Sequence, residues 1–161
     1  MIEGILTPCR ASKKDDIEVR MELLKKEVKG YPIGLEIVGP IDDFLDGERR
    51  QATIDNIAEV RGALDYLVIH APVERTDYSL KHTNLSTREG LETLRIVAKF
   101  ARLIGANLLI LHAEILSSAT EIGVLTGEDR KKIKKKIKGN LEIVCTRIEI
   151  GLALENIPYP L

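Results

Sequence analysis

Five short apolar runs punctuate the chain, at residues 4–6, 33–38, 67–70, 108–112 and 150–155. Each is too short for a helix and rich in Ile, Val or Leu. Most are apolar on successive residues rather than on alternate ones. A strand reads this way when both of its faces are buried, as in a parallel sheet. Helical periodicity fills the intervals. Ile17, Met21, Leu24 and Val28 share one face of a helix expected over 15–29, which Gly30 and Pro32 stop. Ile54, Ile57 and Val60 do the same over 48–64. A third helix is expected to open at Ser86, where Ser86 and Glu89 form a capping box, and to close at Gly105. A fourth is expected over 128–147, with Ile133, Ile137, Leu141, Val144 and Ile148 in register.

Strand ends placed near Leu6, Val38, His70, His112 and Glu155 repeat every 32 to 43 residues. Strand–helix repeats of this length force parallel pairing through crossovers. Two α/β architectures fit: an open doubly wound sheet, or part of an eight-fold barrel. The turn after the first strand, read as Thr7-Pro8-Cys9-Arg10-Ala11-Ser12, holds no glycine, and no phosphate-cradling glycine motif occurs elsewhere. That favours the barrel. A full barrel takes roughly 250 residues, so these 161 residues read as one domain, a partial (β/α)8 barrel cut after its fifth strand. The expected sheet has five parallel strands in sequential order, with helices on its outer face.

Composition narrows the class. With 44% hydrophobic and 30% charged residues, the chain is neither disordered nor a disulfide scaffold. A net charge of −1 argues against a general nucleic-acid or acidic-membrane binder. No apolar run is long enough to span a bilayer, and Met1-Ile2-Glu3-Gly4 does not open a signal peptide. The expected location is the cytoplasm. Cys9 and Cys145 stand apart and make neither a zinc motif nor a disulfide framework. Abundant Lys, Glu and Ile, with one Gln and no Trp, lean towards a thermophilic source.

The polar residues of the strands are concentrated at their ends. His70, His112 and Glu155 each close a run: Leu67-Val68-Ile69, Leu109-Ile110-Leu111 and Leu152-Ala153-Leu154. In parallel βα folds the strand C-termini face the functional mouth. Alone, each residue reads as a hydrogen-bonded or ion-paired structural group. Together, two imidazoles and a carboxylate from successive strands make a donor set for zinc, manganese or iron. Glu36, on the second strand, reads as a substrate-facing group, as a group supporting a metal ligand, or as a buried ion-pair partner. Asn156 follows Glu155 directly and is a second candidate for substrate binding, or for orienting the carboxylate.

His70-Ala71-Pro72, the stretch 101–112 and Leu152-Ala153-Leu154-Glu155-Asn156 resemble the xylose isomerase-like TIM-barrel superfamily. That group includes the sugar and sugar-phosphate isomerases and epimerases and the endonuclease-IV-type AP endonucleases. The resemblance spans the whole chain, as strands one to five of eight. It implies a divalent metal, zinc ahead of manganese. In the endonuclease branch the matching positions His70, His112 and Glu155 are all metal ligands. In the epimerase branch only Glu155 is regularly one, which also makes it the candidate catalytic residue. Both branches take their remaining ligands from strands six to eight, beyond this stretch.

Three functions follow as expectations. The first is a metal-dependent sugar or sugar-phosphate isomerase or epimerase, active when the barrel is complete. The second is hydrolysis of abasic DNA, which the His-His-Glu set favours. Against it, the loops at the mouth mix Arg10, Lys13 and Lys14 with Asp42, Asp43, Asp46, Glu114 and Glu121, where a duplex-binding mouth should be consistently basic. The third is a non-catalytic barrel fragment or interaction module. The open edges of five strands predict a homo-oligomer. Other features read as structural: His82 as a solvated loop residue, Cys9 as a thiol without a partner base, and the seven basic residues of 130–138 as the outer face of a helix.

Overall fold

A computed structural model of the protein describes residues 4–72, 88–112, 150–155 and part of 127–142, with only the backbone of 89, 112, 154 and 155. The strands are β1 (Ile5–Cys9), β2 (Ile33–Ile37), β3 (Tyr66–His70), β4 (Leu108–His112) and β5 (Gly151–Glu155). They form one sheet in the order β1-β2-β3-β4-β5, and every neighbouring pair is parallel. The helices are α1 (Lys14–Glu27), α2 (Asp42–Leu45), α3 (Gly47–Val60), followed by a 3-10 turn at Arg61–Ala63, and α4 (Arg88–Leu103). The described residues within 127–142 are also helical, and Lys131, Lys132, Lys135 and Lys138 are all exposed, as a solvated basic face requires.

Alternation along each strand separates two faces. Leu35, Ile37, Leu67, Ile69, Leu109 and Leu111 lie on the outer face, each at most 2% exposed. They share one core with Ile17, Met21 and Leu24 of α1, Ile57 of α3, and Leu94, Val97, Phe100 and Ala101 of α4. The described helices therefore cover a single face, and the apolar runs are continuous because inner positions such as Val68, 3% exposed, are apolar as well. The inner set comprises Leu6, Pro8, Gly34, Glu36, Tyr66, Val68, His70, Leu108, Ile110, His112, Gly151, Ala153 and Glu155 by register. Gly34 must stay small there: a Cβ would come within 2.6 Å of the Tyr66 carbonyl oxygen and of a Leu6 methyl group.

Side chains at the strand starts pin the layers together. Asp65 accepts from the Ile33 amide at 2.9 Å, and Asn107 accepts from the Leu67 amide at 2.8 Å. Asp46 caps α3 by accepting from the amides of Glu48 and Arg49. Gly105, at φ +68°, closes α4 in the left-handed region as the sequence implied.

Two local readings are corrected. The first strand continues through Thr7, Pro8 and Cys9, so the turn after it begins at Arg10. Pro8 lacks an amide hydrogen, and an end strand tolerates that. The loop after β2 contains α2, anchored by Phe44, which is 1% exposed and meets Phe100 edge-on with ring centroids 5.6 Å apart. Four residues are too few to show helical periodicity. The expected capping box at Ser86 and Glu89, the loop residue His82, and Glu114 and Glu121 lie outside the described residues or side chains.

Candidate functional site

The strand register collects the candidate residues on one face. Glu36 is in register with Val68, so His70, two residues further on, is its diagonal neighbour. His70 is in register with Ile110, so His112 stands in the same diagonal relation to it. His112 is directly in register with Glu155. Diagonal neighbours lie roughly 7–8 Å apart at Cα, within reach of long side chains. The stagger of a barrel sheet thus aligns four chemistry-bearing positions, Glu36, His70, His112 and Glu155, on four adjacent strands of the inner face. The side chains of His112 and Glu155 are outside the described set, as is Asn156. Among the described residues no group of three metal-ligating side chains assembles.

Where side chains are described, the pattern closes. His70 Nδ1 lies 2.7 Å from Glu36 Oε1, and the two side chains are 20% and 22% exposed. The Glu36 carboxylate has an imidazole of the next strand as its partner, as the ion-pair reading expects. The sequence allowed an ion pair for Glu36 but did not identify His70 as the partner, because Glu36 sits one residue short of its strand end. Only the stagger brings it level with His70.

Cys9 is 2% exposed on the outer, helix-covered face. Burial, with Asp16 and Glu36 adding to it, pushes its thiol up to about 12, so a thiolate nucleophile is excluded there at neutral pH.

The charges of the mouth also change. Asp43, 4% exposed, accepts from Arg10 Nε at 2.6 Å, Arg10 Nη2 at 2.9 Å and Ser12 Oγ at 2.8 Å. Burial alone would raise its carboxyl. The hydrogen bonds from Arg10 and Ser12 outweigh that and hold it below the ordinary carboxylate value, while Asp43 in turn raises Arg10. Arg10 and Asp43 therefore cancel each other, and Asp46 is a helix cap. Neither acid is a free charge facing a ligand.

No family model and no curated protein matches the chain. Among solved structures it is similar to a D-tagatose 3-epimerase-like protein, with 17% identity and a TM-score of 0.53. The match covers 98% of this chain and 53% of that one, so the chain spans about half of its structural neighbour. Sequential parallel strands, helices on one face and this likeness define a partial TIM barrel.

Proposed function

We propose that this chain carries half of a divalent-metal site for isomerising or epimerising a sugar or sugar phosphate, in a complete xylose isomerase-like barrel. The observation that supports this most is the alignment of His70, His112 and Glu155 at successive strand ends of the inner face. The likeness to a D-tagatose 3-epimerase-like protein points to the same sugar chemistry. Two imidazoles and a carboxylate suit zinc first and manganese second. His70, His112 and Glu155 would hold the ion, Glu155 as the residue nearest the chemistry.

When bound, a divalent ion would polarise the carbonyl beside the carbon that loses its proton. The chain's own residues supply the frame. The helices seal the outer face, and on the inner face Glu36 and His70 stay partly exposed. The protein is read as cytoplasmic; no helix among the described residues is long and apolar enough to cross a membrane.

The test is solvent deuterium exchange at the carbon next to the carbonyl in ketohexoses and sugar phosphates, followed by NMR. Metal-dependent exchange, lost in Glu155→Gln, supports the reading. Absence of exchange in a metal-loaded complete barrel that contains this chain contradicts it. A second reading, hydrolysis at abasic DNA, is favoured by the presence of both histidines. Metal-dependent cleavage of an abasic oligonucleotide, without deuterium exchange, would select it.

A further inference from the structure

We infer that Glu36 is a positioning residue: it fixes His70 in the Nδ1–H tautomer, so that Nε2 carries the lone pair that a metal at the barrel rim would take. The inference rests on the metal site proposed above and adds a residue which that site's ligand set does not contain.

Geometry carries the first part. A carboxylate oxygen 2.7 Å from Nδ1 requires a proton between them, because an unprotonated Nδ1 would set two lone pairs face to face. In the neutral ring the acceptor lone pair then resides on Nε2. Metal-bound histidines generally donate their other ring N–H to such a partner, which orients the ring and raises its basicity.

Placement carries the second part. The pair lies on the inner face, away from the apolar core that stabilises the sheet. The residues in register with Glu36 are Pro8 and Val68, which offer it no charge. Arg10, one residue beyond β1, is committed to Asp43. The two side chains are 20% and 22% exposed, and an ion pair largely withdrawn from water is weak evidence of a stabilising role, so stability alone does not account for an acid at this position. The stagger that sets Glu36 beside His70 also sets His70 beside His112, so one acid braces the first member of the aligned series.

The experiment is a long-range 1H–15N spectrum of the 161-residue chain, recorded over a pH series up to about 8. His70 signals are assigned by their loss in His70→Gln. Zinc affinity is measured in parallel by competition with a chromophoric chelator. In the native chain, His70 Nε2 should resonate as a lone-pair nitrogen and Nδ1 as a protonated one. Glu36→Ala should mix or invert the tautomers and weaken zinc about 10–100-fold. Glu36→Gln, whose amide oxygen still accepts from Nδ1, should retain the native tautomer and most of the affinity. That rescue separates positioning from a general loss of fold. An unchanged His70 pattern in Glu36→Ala would overturn the inference. A tautomer that responds to Glu36 in a native chain that takes up no zinc would instead overturn the metal site and leave the control of His70 by Glu36 standing.

Discussion

Asp43 is the one buried charge among the described residues, and it shows what a sequence conceals about acids. In the chain it belongs to an acidic loop with Asp42 and Asp46. In the fold it clamps the turn after β1 to the loop after β2 through Arg10 and Ser12. Its folded carboxyl lies below the ordinary value, so the clamp stabilises the protein fully above the unfolded value of about 3.9. That stabilisation is lost as the pH falls through the lower, folded value. Arg10 is 34% exposed, which places removal of Asp43 below the roughly 3–5 kcal/mol of a fully buried pair. Asp43→Asn is expected to lose about 2 kcal/mol at pH 7. It should also flatten the acid limb of a urea-midpoint profile between pH 6 and 2. A steep limb unchanged in the variant would show that other carboxylates control acid unfolding. At the site, the positions of His70, His112 and Glu155 were legible, because polar residues ending apolar runs stand out. The partner of Glu36 was not, since it depends on strand stagger, which no single strand records.

The strands β2 to β5 were legible to within about a residue at each end, because the sealed outer positions are interleaved with inner positions that are also apolar, as at Val68, 3% exposed, Leu108 and Ile110. β1 was read short: Thr7, Pro8 and Cys9 break the apolar pattern, yet Cys9 is core and Thr7 is buried. α2 was invisible for the opposite reason, a single aromatic standing in for a helical stripe. Phe44 fills the space beside Phe100 and has no substitute on its four-residue helix. Phe44→Ala is therefore expected to cost about 3–5 kcal/mol, read from the urea midpoint at constant slope. A loss below about 1 kcal/mol would mean that α2 is ornamental to the core. The N-cap Asp46 should matter less, about 1 kcal/mol on replacement by Ala.

Across the whole molecule, five strands leave β1 and β5 at the ends of the sheet. Ile5 and Leu6 of β1 are 39% and 42% exposed, and Val19 and Leu23 of α1 extend the apolar surface. An unpaired strand edge with exposed apolar residues promotes pairing with a second chain. The 161-residue chain is expected to self-associate, with a two-fold dimer the simplest form. Light scattering after size exclusion checks this, and a monodisperse monomer at tens of micromolar would contradict it. The fold class was legible at this scale because strand–helix repeats without a glycine-rich turn exclude most alternatives. The substrate was not, because half a barrel presents only half of a mouth.

If the aligned strand ends form a metal site, equilibrium dialysis against zinc, with the bound metal counted by mass spectrometry, shows it most directly in the native chain and in His70→Ala, His112→Ala and Glu155→Gln. One zinc per native chain is expected, with affinity falling at least about 10-fold in each variant. Zinc that fails to bind, or that binds equally well without these three side chains, would contradict the account.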